Sequence, residues 1–389
     1  MRVKLSEAFD LQMGKTPSRN NSDYWGPGYK WVSIADIGGA EKYISKTKET
    51  ITDIAVSESG IKVVPKNTVI MSFKLSIGKT AITAEDMYTN EAIIAFLDRG
   101  TFNIDTNYLY HLCKSINWFD GTNKAVLGLT LNKATLAQKE IELPSITEQK
   151  EAVTILDKVD DLISLRKQQL AKLDELVKAR FVEMFGDAEQ NEKDLPTLPM
   201  TELCEIIDGD RGKNYPKQEE FSEEGFCLFL NAKNVTSNGF SFENCMYITE
   251  EKDKILRNGK LSRGDVVLTT RGTLGNLAFY DEAVPYEHMR INSGMVILRM
   301  KRDRIAERFF IEQFKMQLVS IKERIASGSA QPQLPISTMN KIVMLAPDVE
   351  LQKQFAFFVE QTDKSKAAIQ ESLDKLETLK KALMQKYFG

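Results

Sequence analysis

The sequence predicts an α+β protein built from two mixed α/β domains, each followed by a long helix, so that the second half repeats the first. Three observations predict this architecture. The chain has 389 residues, more than one domain usually holds, and 42% of them are hydrophobic. A stretch of 41 residues occurs twice without a gap, at 146–186 and 349–389. Short apolar runs bounded by Gly, Asn, Asp and Pro, which are typical of strands and turns, fill the rest.

The duplicated stretch predicts two long helices. Of its 41 positions, 11 are identical between the copies, including the final Phe-Gly, where composition alone gives roughly two to four. Neither copy contains proline, and each ends at a glycine, which commonly stops a helix.

Apolar residues recur about every seven positions along both copies. A single helix cannot bury such a stripe, so we expect the two helices to pair as a coiled coil, although each could instead pack only on its own domain. The candidate partner-binding residues on this stripe are Leu156, Ile163, Leu170 and Leu173 in the first copy, and Leu373 and Leu376 in the second.

These features divide the chain into consecutive segments. We expect a first domain at 1–145, a first helical spacer at 146–187, a polar linker at 188–195, a second domain at 196–346 and a second helical spacer at 347–389. Pro144 and Pro347 mark the two boundaries between strand and helix.

The two domains repeat each other more faintly. VIMSFKLSIGK at 69–79 matches VVLTTRGTLGN at 266–276: a strand-like run, then a basic residue, then a turn around a glycine. Asn90 and Asn292 each lead into a further apolar strand. The first loop lacks the glycine that follows the basic residue in the second, Gly272.

Composition limits the function classes. The net charge of −3 does not indicate a nucleic-acid partner, so any DNA contact must come from local patches. The four cysteines are far apart and only two histidines are present, which argues against a zinc cluster or a disulfide framework. The amino terminus lacks a signal-like apolar run and no window has 18 consecutive apolar residues, so we expect a cytoplasmic protein without a membrane segment.

Catalytic functions lack their motifs. The sequence has no Pro-Pro pair of the kind that cradles a flipped adenine in N6-adenine methyltransferases. Both Gly-Lys-Thr runs have phenylalanine, Phe9 or Phe73, where a phosphate loop needs glycine. Neither histidine, His111 or His288, has an elbow-type serine to serve. We expect no catalysis and no cofactor on this chain.

The chain resembles the specificity subunits of type I restriction-modification enzymes over essentially its whole length. The resemblance rests on several pieces in order: GKTPSRNNSDYWGPGYKWVSIADI at 14–37, the SFKLSIGK and TTRGTLGN loops, SGSAQPQLPISTM at 327–339, and helices that open after LPSITEQK and APDVELQK. It implies two target-recognition domains, each reading half of a split DNA sequence, separated by an antiparallel helix pair. It also implies two methyltransferase subunits as partners, recruitment of restriction subunits, and S-adenosylmethionine, ATP and Mg on those partners only.

Local charge indicates where DNA contact would occur. Residues 61–84 hold four lysines and no acid, and residues 256–304 hold nine Lys or Arg against five acids. Such clusters favour phosphate contact, and Arg, Asn and Gln suit base edges. Arg271 on its glycine turn is the preferred base reader, with Lys74 as its counterpart; each could instead be a solvated surface charge. The candidate DNA-binding residues are Lys15, Thr16, Arg19, Lys74, Lys79, Arg211, Arg271, Thr273, Asn276, Gln331 and Gln333.

Two other functions stay open. One is the specificity module of a type IIG-like system, which differs in its partner. The other is a coiled-coil adaptor without a DNA role, which the acidic net charge mildly favours. The salt dependence of DNA affinity, measured with the partner present, separates the adaptor from a DNA reader.

Overall fold

The structure is a computed structural model that describes residues 1–74, 76–118, 131–326 and 333–389. The chain forms two compact units. Unit 1 comprises Met1–Lys167 and Glu371–Gly389, and unit 2 comprises Gln168–Gln370. Each unit therefore contains one domain and a segment of each long helix.

Short strands and helices alternate irregularly in the first half of the chain. The strands are β1 (Arg2–Lys4), β2 (Phe9–Met13), β3 (Trp25–Val32), β4 (Tyr43–Ile44), β5 (Glu49–Ile51), β6 (Val69–Ser72), β7 (Thr80–Thr83), β8 (Tyr88–Thr89), β9 (Ile93–Asp98) and β10 (Glu140–Glu142). The helices are α1 (Leu5–Ala8), α2 (Ile34–Gly39), α3 (Asp53–Ser59), α4 (Thr106–Ser115), α5 (Lys133–Gln138) and α6 (Ile146–Phe185).

The second half follows a similar order. Its strands are β11 (Thr197–Pro199), β12 (Cys204–Asp208), β13 (Cys227–Leu230), β14 (Val235–Thr236), β15 (Gly239–Phe240), β16 (Tyr247–Ile248), β17 (Asp265–Thr269), β18 (Leu277–Phe279), β19 (Met289–Ile291), β20 (Met295–Met300) and β21 (Val343–Leu345). Its helices are α7 (Met200–Leu203), α8 (Glu250–Ile255), α9 (Glu307–Ala326), α10 (Ile336–Met339) and α11 (Val349–Phe388).

Each domain is built on a largely antiparallel sheet with one matching register. In unit 1 the strand order is β2-β9-β6-β7-β4, and in unit 2 it is β12-β20-β17-β18. Met13 lies opposite Ile94, and Asp208 lies opposite Val296 in the corresponding place. Smaller sheets include the parallel pairs β3-β8 and β13-β19. The mixed sheets and the long helices agree with the α+β class and the internal repeat expected from sequence.

Apolar strand residues form the domain cores. In unit 1, fully buried Met71, Ile82 and Ile94 pack together, and in unit 2 Val266, Leu268 and Leu298 do so. Alternate residues of the same strands, such as Ile70 and Val267, belong to other clusters. This alternation follows from the two-residue period of a strand.

Both long helices have 40 residues and begin two residues after a proline, α6 after Pro144 and α11 after Pro347. Gly186, which follows α6, has φ of 77°, a left-handed conformation that glycine adopts without strain. Each long helix therefore begins shortly after a proline, and the first ends just before a glycine.

The two helices run antiparallel within each unit. In unit 1, Asp160 pairs with Lys380, and Lys167 Nζ lies 3.2 Å from Glu377 Oε1. In unit 2, Lys366 Nζ lies 2.5 Å from Asp174 Oδ1. Partner numbers on α11 fall as those on α6 rise, which is the antiparallel arrangement.

Candidate nucleic-acid interface

The two glycine loops, 72–79 after β6 and 269–276 after β17, are held by the same hydrogen bonds. The side-chain hydroxyls of Ser72 and Thr269 donate to the carbonyls of Ser76 and Thr273. The same hydroxyls accept the N–H of Lys79 (3.1 Å) and of Asn276 (2.9 Å). Gly78 and Gly275, with φ of 89° and 81°, close the turns. The sequence repeat here is therefore also a structural repeat.

These loops carry cations that no described carboxylate neutralises. Lys79 and Arg271 are exposed, and Lys74 is half-buried with its Nζ 5.4 Å from the ring centre of Phe73. None of the three forms an ion pair in the described part of the chain. Such unpaired cations are the groups that a phosphate or a base edge can engage.

The other candidates in or near the second loop differ in whether their side chains already have hydrogen-bond partners. Thr273 is exposed. Asn276 is half-buried, and its Nδ2 donates to Val235 O at 2.9 Å, so its amide positions a neighbouring strand. Gln333 is exposed and its backbone pairs with that of Arg271. Gln331 lies outside the described residues.

A second turn packs against the first strand of each domain. Asn90 Oδ1 accepts the N–H of Ala92 at 3.0 Å, and Asn292 Oδ1 accepts that of Gly294 at 2.9 Å. Gly14 and Gly209 follow β2 and β12, and a Cβ on either would lie 2.2 Å from the carbonyl oxygen of the corresponding asparagine. Glycine is needed at both places because the backbones approach so closely.

The three candidates after Gly14 already have partners within unit 1. Lys15 Nζ donates to Ser59 O, and Thr16 Oγ1 donates to Glu91 Oε2. Arg19 forms a two-bond pair with Glu49 and stacks on Trp25, with its guanidinium carbon 3.8 Å from the ring centre. The hydrogen bond from Arg19 lowers the pKa of Glu49. Arg19 is thus tied into the domain surface, whereas the sequence indicated a free donor.

In unit 2, Arg211 and Arg271 line one cavity of about 220 Å³, together with Asp208 and Gln333. Arg211 Nη2 donates to Asp208 Oδ1 at 3.0 Å and to Ser293 O at 3.2 Å. The side chain is about half exposed, which leaves its other N–H groups accessible. The structure therefore brings together two arginines from loops 60 positions apart in sequence.

Sequence reasoning missed Asp208, Glu91 and Ser293. Glu91 and Ser293 each follow one of the paired asparagines, and Asp208 immediately precedes a paired glycine. The alignment of the two asparagine turns was the signal that could have found Glu91 and Ser293. Their importance depends on contacts with Thr16 and Arg211, which only the folded chain shows.

The apolar residues along the two long helices differ in how deeply they are buried. Leu156 and Leu373 are buried, at 0% and 5% exposure, so they pack inside the chain and present no surface to another subunit. Ile163, Leu170, Leu173 and Leu376 are half-buried. Leu176 and Leu379, identical positions of the repeat, are 48% and 47% exposed. These two leucines were not among the predicted partner-binding residues.

Two other classes of site lack their features in the part of the chain that the structure describes. The described residues contain no group of three or more His, Cys, Asp or Glu side chains placed to hold a metal ion. None of their helices combines the length and apolarity needed to cross a membrane.

Known proteins resemble this chain over most of its length. The MjaIX specificity subunit of a type I restriction enzyme from Methanocaldococcus jannaschii is 26% identical over 369 residues, which cover 90% of this chain and 84% of the relative. The MjaVIII specificity subunit of the same organism is 24% identical over 408 residues, covering 98% and 90%.

Solved structures share the fold. The S subunit of a type I restriction-modification system from M. genitalium aligns with a TM-score of 0.59 at 17% identity, covering all of this chain and 96% of that one. A structure described in terms of complex assembly and conformational transition of the type I R-M system aligns with a TM-score of 0.60, also at 17% identity, covering all of this chain and 97% of that one.

A family model, type I restriction modification DNA specificity domain, matches residues 1–175 and again residues 192–379. The two matches correspond to the two repeats seen in sequence and structure. The chain therefore belongs to the family of type I restriction-modification DNA specificity subunits.

Proposed function

We propose that each domain of this chain reads one half of a split double-stranded DNA target, and that neither domain catalyses a reaction. One observation carries the proposal: both domains present the same hydrogen-bonded loop at the same place on an equivalent sheet, and both loops bear unpaired cations, Lys74 and Lys79 in one and Arg271 in the other. Two equivalent readers in one chain suit a bipartite target.

This chain reads the DNA and directs the enzyme subunits that bind to it. Two methyltransferase subunits dock on it and restriction subunits join the assembly, with S-adenosylmethionine, ATP and Mg held by those partners. Leu176 and Leu379 support two equivalent docking places because they are exposed apolar residues at the same position of both helices. The complex acts on DNA in the cytoplasm.

The chain's own thiols support a non-catalytic role. Burial raises the pKa of Cys113 well above its ordinary range and raises that of Cys204 to about 12. A thiol is nucleophilic only as the thiolate, so these cysteines are inert at neutral pH.

Salt dependence tests the proposal. The chain, bound to a methyltransferase from a relative's system, is titrated with duplex DNA at several salt concentrations. A DNA reader loses affinity steeply as salt rises, and each lost phosphate contact reduces the slope of log affinity against log salt by about one. We expect the variant K74A/K79A/R271A to have a shallower slope than the wild type. Lys353→Ala, which removes an exposed lysine paired with Glu350 on α11, is the matched control.

The outcomes separate the alternatives. Affinity that does not change with salt would contradict DNA reading and favour an adaptor. Failure to bind any separate methyltransferase, with DNA binding intact, would favour a type IIG-like partner instead.

Domain exchange tests the division into two readers. Replacing residues 1–145 with the corresponding domain of a relative is expected to change one half of the methylated sequence and to leave the other half unchanged. A change in both halves would show that the domains do not read independently.

A further inference from the structure

The two domains hold different side chains on the same backbone framework. Strand register places Met13 and Asp208 at equivalent positions, each followed by a glycine that packs on an asparagine carbonyl. Two residues beyond that glycine are Thr16 in the first domain and Arg211 in the second. Each contacts the residue after the asparagine, namely Glu91 or Ser293.

The backbone framework is therefore the same in both domains, whereas the side chains presented on it differ. The glycines, the asparagines and the Ser72/Thr269 hydroxyls make the same backbone contacts in both domains. The presented pair differs completely: a carboxylate held by a hydroxyl in the first domain, and a guanidinium held by a carboxylate in the second. A difference of this kind is what two readers of unlike half-sites need.

In the second domain the chemistry favours guanine. The Nη2 group of Arg211 donates to Asp208 and to the Ser293 carbonyl. These two hydrogen bonds fix the plane of the guanidinium. Its Nε–H and Nη1–H groups remain available to donate to O6 or N7 of guanine, the base edge that presents two acceptors in the major groove. Asp208 restricts the arginine to few orientations, so less entropy is lost on binding.

In the first domain the chemistry favours an amine donor. Glu91 is exposed, and the hydroxyl of Thr16 donates to its Oε2. A carboxylate is repelled by phosphate, yet its remaining lone pairs can accept a hydrogen bond from the exocyclic N4 amine of cytosine. No described lysine or arginine lies within ion-pair distance of Glu91, although its charge interacts with that of Arg19, so its carboxylate oxygens can still accept from a donor on the DNA.

The geometry points to Arg211 and Glu91 as specificity-determining residues, with Asp208 and Thr16 as the residues that position them. Arg211 reads a guanine in the half-site of the second domain, and Glu91 reads a cytosine in the half-site of the first. This inference rests on the proposed reading of a split DNA target, and it names the bases that this reading selects.

Selection from a random pool tests it. The full chain in complex with a methyltransferase is incubated with duplexes randomised over 20 consecutive positions, and bound duplexes are sequenced. For Arg211→Ala we expect the preference for guanine at one position to fall about 10- to 100-fold, with the other half-site unchanged. For Glu91→Gln we expect the other half-site to lose cytosine at one position and to gain adenine, the base that glutamine favours.

Positioning residues and controls sharpen the test. Asp208→Asn is expected to weaken discrimination at the same position as Arg211→Ala, by a smaller factor. Arg304→Ala, which removes another half-exposed arginine of this unit paired with Glu202, is expected to leave the selected motif unchanged. Thermal unfolding of every variant is measured in parallel. If Arg211→Ala does not fold, Arg211→Gln replaces it, since glutamine remains polar but favours adenine over guanine.

Results that would contradict this inference can be told apart from a result that would contradict the proposed function. Uniform weakening of all sequences by Arg211→Ala would make this residue a phosphate contact and overturn the inference while leaving DNA reading intact. Changes by Arg211 and Glu91 variants in one and the same half-site would also overturn it. If the wild-type complex selects no motif at all, the proposed function itself is wrong.

Discussion

Gln149 and Gln352 occupy equivalent positions on the two long helices and make the same three hydrogen bonds. Gln149 Nε2 donates to the carbonyls of Asn103 and Pro144 at 3.1 and 3.0 Å, and its Oε1 accepts the N–H of Asp105 at 2.9 Å. Gln352 Nε2 donates to the carbonyls of Arg304 and Pro347 at 3.2 and 2.8 Å, and its Oε1 accepts the N–H of Ala306 at 2.9 Å. Each glutamine fastens a helix to its own domain.

Replacing either glutamine is expected to destabilise the chain. Gln352→Ala leaves buried backbone groups without partners, and each such group costs about 1–3 kcal/mol. We expect the free energy of unfolding of unit 2, measured with denaturant, to fall by at least about 2 kcal/mol. Gln354→Ala, an exposed glutamine on the same helix, is the control and should change stability by less than about 0.5 kcal/mol. Equal effects of the two substitutions would contradict the assigned role.

Acid is expected to destabilise the fold through His111, which contacts Asp157 on α6. His111, 1% exposed, lies with its Nε2 2.8 Å from Asp157 Oδ1. Burial lowers the pKa of His111 even though Asp157 opposes this shift. A histidine kept neutral by burial stabilises the fold above its unfolded pKa of about 6.5, and this stability is lost as pH falls from there towards its lower folded pKa.

Unfolding free energies measured between pH 7.5 and pH 5 check this expectation. His111→Gln removes the titrating group while keeping a hydrogen-bond donor, so the variant should lose less stability over this interval than the wild type. At lower pH the loss should continue in both proteins, because Asp157, whose pKa is held below its ordinary value by Lys42 and His111 despite its burial, becomes protonated. Identical pH profiles for His111→Gln and the wild type would disprove the role of His111.

Arg271→Ala tests the glycine loop of the second domain. If Arg271 forks onto a base, discrimination at one position of the target should fall by about 1–3 kcal/mol. The measurement is the affinity for the selected duplex and for its single-base variants. Equal weakening for every duplex would make Arg271 a phosphate contact only.

Exposed leucines on the helices are expected to bind methyltransferase subunits. Leu176→Asp or Leu379→Asp alone should reduce the complex from two methyltransferase subunits to one, and the double variant should bind none, because a carboxylate in an apolar contact loses its hydration. Mass measurement of the complex by light scattering counts the subunits. Glu175→Gln, at an exposed neighbouring position, is the control. A double variant that still binds two subunits would place the docking surface elsewhere.

Helix length is expected to set the separation of the half-sites. Four residues inserted into both helices, between Lys167 and Gln168 and between Gln370 and Glu371, add about 6 Å of rise to each. We expect unchanged half-sites and a spacer longer by about one or two base pairs, at about 3.4 Å of DNA per base pair. Methylation mapping in cells scores the result, and an active variant with an unchanged spacer would refute it.

The sequence by itself determined the repeat, the helices and the loops. The matched copies at 146–186 and 349–389 predicted α6 and α11, because a helix depends on local periodicity and on where proline and glycine interrupt it. The match of the two glycine loops likewise predicted a shared turn, since a left-handed residue favours glycine at Gly78 and Gly275.

Only the tertiary structure decided which charged side chains remain available. Lys15, Arg19 and Arg271 look alike in sequence, yet Arg19 is paired with Glu49, Lys15 donates to Ser59, and Arg271 has no carboxylate partner among the described residues. It also brought Arg211 to Ser293 and Arg271, and Thr16 to Glu91. These pairings join strands and loops distant along the chain, so they depend on sheet order and register, whereas sequence patterns report only the near neighbours of each residue.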